Sequence, residues 1–190
     1  MRLLTMNLVV PSRDLLGPYV DALKRGFFTD NIRREAAARE DIELIARDPD
    51  GFLLRANDRD AKAGPITLSD GSQVPRLPGY LRWMWDGEFC GQIGFRWQPG
   101  TEALPRHVLG HIGYAVVPWK RRRGYATRAL GLLLEDVRRE GLAHVELTTD
   151  PDNQPSQKVI LANGGQLVGR FRPEAGHGLA QDHLLWRIPL

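Results

Sequence analysis

Residues 116–127 read VVPWKRRRGYAT, and their order decides how the rest of the chain is understood. An apolar run of β type ends at Pro118, a basic loop follows, and Gly124 leads into Ala126, Ala129, Leu130, Leu133, Leu134 and Val137. Those positions repeat as i, i+3, i+4, i+7, i+8 and i+11, which predicts a helix with one buried face and Gly141 as its stop. Before the loop, residues 111–117 (HIGYAVV) are rich in β-branched and aromatic side chains, so a strand is expected there. A strand, a basic loop and a helix in this order bring free N–H groups and the positive end of a helix dipole to one point, where a pyrophosphate can be held. Gly124 and Ala126 keep that backbone open to close approach. Neither G-x-G-x-x-G nor G-x-x-x-x-G-K-[ST] occurs, so a Rossmann dinucleotide site and a nucleoside-triphosphate P-loop are not indicated.

What remains is R-x-x-G-x-A, carried by Arg121, Gly124 and Ala126. Residues 143–149 (AHVELTT) predict a second strand, expected parallel to the first because a helix joins them. Residues 150–165 (DPDNQPSQKVILANGG) predict a short capped helix that stops at Asn163-Gly164-Gly165, and residues 166–171 and 183–188 predict two final strands.

The hexapeptide resembles the acetyl-CoA pyrophosphate loop of the GNAT superfamily of N-acyltransferases, Q/R-x-x-G-x-G/A, and Pro118 sits where many members have a proline. Asn153 and Ser156 match the family's later N-x-x-A/S pattern. The resemblance runs from about Tyr80 to the C-terminus, and HIGYAVVP, DPDN and NGG are most similar to a bacterial branch of predicted GNAT acetyltransferases. It implies an α/β fold with a mixed, V-shaped sheet flanked by helices, in a single domain over residues 1–190. Residues 1–79 would shape the acceptor side and residues 80–190 the acetyl-CoA-binding core. The cofactor contacts it implies fall on Val116, Val117, Arg121, Arg122, Arg123, Gly124, Tyr125, Ala126 and Thr127, and on Asn153 and Ser156. A backbone N–H near Val116 or Val117 is the implied oxyanion donor. One position departs from the family: many members have a tyrosine seven residues after the asparagine, which protonates the leaving thiolate, and here it is Ile160. The general acid is therefore unassigned.

Acyl transfer to an amine also needs a base, because an alkyl ammonium has a pKa of roughly 10.4 and must lose a proton before it attacks. His111, at the start of the strand that leads into the loop, and Glu146, in the second strand, are the candidates. Each has a plainer reading, since a strand-end histidine is more often a satisfied structural group and Glu146 can face solvent or a salt bridge. Tyr114 reads as core or pocket wall, Asp150 as a turn cap, and Glu88, next to the Asp86-Gly87 turn signal, as exposed.

The resemblance implies an acetyl-CoA-dependent N-acetyltransferase acting on a small-molecule or peptide amine, and 190 residues with 42% hydrophobic content fit the single domain it needs. The formal charge is only +3 despite the KRRR run at residues 120–123, so phosphate binding is the economical reading of that run and a nucleic-acid patch the rival one. A second rival is a non-catalytic CoA-binding module. The histidines have no metal-ligand spacing, Cys90 is the single cysteine and reads as a buried small residue, and no long apolar span or leader is seen. A cytoplasmic enzyme without metal, membrane or nucleic-acid partners is expected, with a homodimer left open. In the N-terminal part, residues 3–10 predict a strand, Ser12 a cap for a helix over residues 13–27, and residues 31–47 a second helix. Residues 58–77 read as a loop or flap, and residues 80–85 and 89–97 as a hairpin about Asp86-Gly87. Trp83, Trp85 and Trp97 belong to that hairpin's faces, and Arg82 and Arg96 are placed to meet an acidic substrate.

Overall fold

Asp86 and Gly87 turn the chain between β5 (Gly79–Trp85) and β6 (Phe89–Arg96), and this hairpin is the middle of the larger sheet. The computed structural model describes residues 5–30, 33–68, 71–173 and 181–190. β1 (Asn7–Val9) pairs with β5, and β7 (Ile112–Val116) pairs with β6, all antiparallel, giving the order β1-β5-β6-β7. The two-residue β2 (Asn57–Asp58) adds to β5. After β7 the chain enters α4 (Tyr125–Val137), then β8 (His144–Thr149), α5 (Gln154–Ala162), β9 (Gln166–Phe171) and β10 (His183–Pro189). The last three strands form a separate antiparallel sheet in the order β8-β10-β9.

β7 and β8, read from the sequence as parallel strands that splay at their ends, share no ladder in this arrangement. β7 spends its ladder on β6 and β8 spends its ladder on β10, so no ladder joins them. They meet at one point, where the His111 N–H donates to the Glu146 carbonyl at 2.7 Å and the Glu146 N–H donates to His111 Nδ1 at 2.9 Å. Beyond it the two sheets part.

Two apolar layers hold the larger sheet. On one face lies α4, whose Ala129, Leu130, Leu133, Leu134 and Val137 are all buried against Met84, Ile93, Phe95, Val145 and Leu147, as the periodicity requires. A buried leucine of this kind is worth about 2–5 kcal/mol relative to alanine. On the other face lie the N-terminal helices α1 (Leu16–Lys24), α2 (Arg34–Arg47) and α3 (Pro49–Ala56). Tyr19 stacks on Trp83 at 4.9 Å between ring centres, and Phe89 meets both edge-on. Trp97 lies just past the end of β6 and stacks on Phe95 on the α4 side.

The N-terminal half differs from its sequence reading in three places. Ser12 makes no side-chain cap; a 3-10 turn (Arg13–Leu15) precedes α1, which ends at Lys24 so that Phe27 can drop into the core. Pro18 is tolerated because the first turn of a helix has no bonds for its missing N–H to break. A helix absent from the sequence reading, α3, begins where Asp48 accepts the Gly51 N–H at 2.9 Å and Pro49 opens the first turn. Within residues 58–77, β3 (Ile66–Thr67) and β4 (Gln73–Val74) form a small hairpin. Residues 31 and 32 of the predicted second helix, and residues 3 and 4 of the predicted first strand, lie outside the described residues.

Candidate active site

The loop after β7 is built in two halves of opposite character. Val117 is fully buried, and a 3-10 turn (Pro118–Lys120) carries Lys120 inward to 7% exposure. Its Nζ lies 2.6 Å from Asp86 Oδ1 and 3.1 Å from Glu88 Oε2, while the Tyr125 hydroxyl donates to Asp86 Oδ2 at 2.5 Å. Burial works to raise the Asp86 carboxyl, but the bonds from Lys120, Tyr125 and the Cys90 thiol outweigh it and hold the group at about 2. Lys120 thus departs from the expected phosphate-binding or solvated run and instead ties the loop to the β5–β6 turn. Glu88 is exposed as expected, at 78% of its side chain, and still reaches Lys120. Burial pushes the Cys90 thiol up to about 12, so it is no nucleophile.

The second half is open. Arg121, Arg122 and Arg123 are exposed, and Gly124 adopts φ +75°, a left-handed conformation that glycine accepts at no steric cost. A Cβ built on Gly124 would meet nothing within 4 Å, so glycine serves the backbone turn here and leaves the space before α4 clear. No side chain caps α4, which leaves the N–H groups of its first turn, carried by Tyr125, Ala126 and Thr127, for a bound anion. Arg121 Nε folds back to the Val116 carbonyl at 3.2 Å. The Val117 N–H is spent on the Cys90 carbonyl at 2.9 Å and is unavailable to an oxyanion.

Where the sheets part, a cavity of about 620 Å3 opens between them. Gly113, Tyr114 and Ala115 of β7 face Leu147, Thr148 and Thr149 of β8 across it, and Asn153, Ser156 and Ile160 of α5 close one side. Asn153 caps α5, its Oδ1 accepting the Ser156 N–H at 3.2 Å, and the Tyr114 hydroxyl donates to the Ser156 carbonyl at 3.3 Å. Burial raises the Tyr114 hydroxyl. Ile160 is buried, so the position of the missing tyrosine is part of the hydrophobic wall. The opposite wall comes from the N-terminal half: Arg55 and Ala56 of α3, Asp58, Arg76, and Leu81, Gln92 and Arg96 of the hairpin. The loop before β7 adds His107, whose Nε2 is buried without a hydrogen-bond partner among the described residues.

His111 and Glu146 stand apart from this cavity. His111 is fully buried at the junction of the sheets, its Nδ1 engaged by the Glu146 N–H, and burial lowers its pKa. The Glu146 carboxylate is 2.8 Å from Arg187 and 3.8 Å from His144, on the face of β8 opposite Val145 and Leu147. Asp150 is 3.2 Å from His183, and Arg82 folds over the Tyr80 ring and donates to the Leu81 carbonyl; neither lines the cavity. His107 and Gln92 were not singled out in the sequence, since a loop histidine and one strand glutamine have no periodicity or motif to mark them.

The sequence profile of the Acetyltransferase (GNAT) family matches residues 24–164, a span that includes the loop, α4 and α5. The chain belongs to the GNAT acetyltransferase family. No curated protein matches its sequence. Among solved structures this GNAT acetyltransferase is similar to the microcin C7 self-immunity acetyltransferase MccE in complex with acetyl-CoA and AMP, at 12% identity and a TM-score of 0.64 over 97% of this chain and 92% of that one. Mycobacterium smegmatis RimJ, in complex with CoA-disulfide, gives 21% identity and a TM-score of 0.64 over 97% and 81% of the two chains. The ribosomal L7/L12 alpha-N-protein acetyltransferase RimL, in complex with coenzyme A, gives 15% and 0.61 over 98% and 94%. At these identities the likeness shows the fold, which the GNAT enzyme shares along nearly its whole length. Among the described residues no helix is long and apolar enough to cross a membrane, and no group of three or more acidic, histidine or cysteine side chains is placed to hold a metal ion.

Proposed function

We propose that this GNAT acetyltransferase moves the acetyl group of acetyl-CoA to a primary amine of a small molecule or peptide in the cytoplasm, by direct attack in a ternary complex. The observations that carry the reading are the uncapped head of α4, at the end of the loop that leaves β7, and the cavity where β7 and β8 part. Those strands have no ladder with each other, so backbone N–H and C=O groups along their facing edges are available to the amides of an extended ligand. Arg121, Arg122 and Arg123, with the N–H groups at Gly124, Tyr125, Ala126 and Thr127, would hold the phosphates; Asn153 and Ser156 would flank the pantetheine arm. When bound, acetyl-CoA supplies a thioester carbonyl to the cavity.

The chain's own task is then proton management. His111 has no lone pair to offer, because a neutral imidazole that accepts at Nδ1 carries its proton at Nε2. We assign it to holding the sheets together and look to the cavity wall for the base, where His107 is the lining imidazole. Tyr114, hydrogen-bonded at Ser156, is the weak acid beside α5, in reach of the role that Ile160 vacates. Glu146, paired with Arg187, helps to fix β8 to β10.

A thiol-release assay with acetyl-CoA against a mixed library of amines and peptides, including N-terminal peptides, tests the reading. Acceptor-dependent release of free CoA is expected. Binding of acetyl-CoA with no release across the library would favour the non-catalytic module.

A further inference from the structure

Three arginines open on the cavity wall that faces the N-terminal helices, against one carboxylate. That carboxylate is already spent. Asp58, 4% exposed, accepts the N–H groups of Lys62 at 2.7 Å and Ala63 at 2.9 Å and lies 3.8 Å from Arg76, whose Nε donates to the Gly64 carbonyl. Asp41, in a smaller adjoining pocket, is engaged by the Tyr19 hydroxyl at 2.7 Å. The wall is therefore left with a surplus of positive charge.

Arg96 is the arginine set to use it. Its guanidinium makes one hydrogen bond among the described residues, from Nε to the Gly110 carbonyl at 3.0 Å, and its two terminal nitrogens have none. The residue is solvent-accessible, yet its depth in the cavity is enough for desolvation to lower its pKa. Side chains alternate along a strand, so Gln92, Gly94 and Arg96 share one face of β6. Gly94 stands opposite Gly113 of β7, and a Cβ on Gly113 would meet nothing within 4 Å. A Cβ on Gly94 would meet Leu81 Cδ1 at 3.3 Å, so the strip between Gln92 and Arg96 is floored by the Leu81 side chain beside the bare backbone of Gly113. Gln92 Oε1 is buried without a hydrogen-bond partner among the described residues, a state that favours an incoming donor.

We infer that the acceptor is an amine that also bears a carboxylate. The Arg96 guanidinium takes the carboxylate through its two terminal nitrogens, Gln92 Oε1 accepts an N–H from the amine end, and the body of the acceptor lies on Leu81 and Gly113. A guanidinium fork suits a carboxylate or a phosphate; the two free terminal nitrogens of Arg96 match the two oxygens and single charge of a carboxylate, and phosphoethanolamine is the arm that tests the alternative. The inference rests on the acetyltransferase reading for its reaction, and on the cavity alone for its ligand.

The test uses matched acceptors that differ only at the acid: 4-aminobutyrate against 4-aminobutanamide, glycylglycine against glycylglycinamide, and phosphoethanolamine as the phosphate arm. With acetyl-CoA, the acid member of a pair should show at least about tenfold higher kcat/KM than its amide. Arg96→Gln should narrow that ratio to within about threefold, and Arg96→Lys, which keeps the charge without the fork, should fall between. Calorimetric titration of the same pairs reads the preference without turnover, and titration with acetyl-CoA reads the cofactor site by itself. Loss of acetyl-CoA binding with an Arg96-dependent preference for acids would sink the acetyltransferase reading and leave this inference standing. Equal binding and turnover of acid and amide by the unmodified enzyme, a preference that survives Arg96→Gln, or an Arg96-dependent preference for phosphoethanolamine over every carboxylate would overturn it.

Discussion

His111 shows how a residue placed at the mouth of a functional strand can serve the frame. Its Nδ1 satisfies the Glu146 N–H in the buried seam between the two sheets, and truncation would leave that donor without an acceptor. His111→Ala is expected to cost about 1–3 kcal/mol of stability at pH 7, measured by urea unfolding. Burial holds the folded-state pKa of His111 below its unfolded value of about 6.5, so its contribution is complete above that pH and is lost as the pH falls through the lowered value. The native protein should accordingly lose stability on acidification from pH 7 to 5, and the variant should lose less over the same range. A variant of unchanged stability whose turnover collapses would return His111 to the role of base.

At the scale of elements, the β5–β6 turn and the cofactor loop form one unit through Asp86, Lys120 and Tyr125. The carboxyl of Asp86 sits at about 2 in the folded protein against roughly 3.9 unfolded, so the clamp is fully formed above pH 4 and fails as the pH drops from there toward 2. Asp86→Asn should remove about 2–3 kcal/mol, because Lys120 stays buried with less compensation. It should also raise KM for acetyl-CoA several-fold while kcat changes little, since the loop is loosened and the cavity is not. Steady-state kinetics with varied acetyl-CoA and thermal melts at pH 7 would check both halves. This clamp could not be read from the chain. A run of Lys120 and three arginines reads as phosphate-binding or solvated, and the carboxylate that draws one of them inward is 34 residues away in sequence. By contrast α4 was legible in full, because its buried positions repeat with the helical period, and Gly124 marked its start. The short α3 was missed although Asp48 and Pro49 carried a usable start signal, because eight residues are too few for periodicity to stand out.

The whole molecule holds its larger sheet between two apolar layers, one of them built on α4, and leaves a cleft where its two sheets separate. That the sheets would diverge was expected from the resemblance, while the local reading of a helix between two strands suggested a direct parallel pair; it is the choice of partner by each strand, β6 for β7 and β10 for β8, that prevents one. Such long-range choices leave no mark in a short window of sequence. The acceptor side was least legible for the same reason: Arg96 was placed to meet an acidic substrate, but Arg55, Asp58, Gln92 and His107 come from separate elements and meet it only in the folded cavity. The account turns on the head of α4 as the acetyl-CoA site, and calorimetric titration of acetyl-CoA into the native protein and Gly124→Val tests it most directly. A side chain at φ +75° costs about 1–2 kcal/mol of backbone strain and projects into the clear space before the helix, where no protein atom waits to clash. The native protein should bind one acetyl-CoA per chain, and the variant should remain folded by circular dichroism while binding at least about 100-fold more weakly. Undiminished binding by the folded variant, or no binding by the native protein, would contradict it.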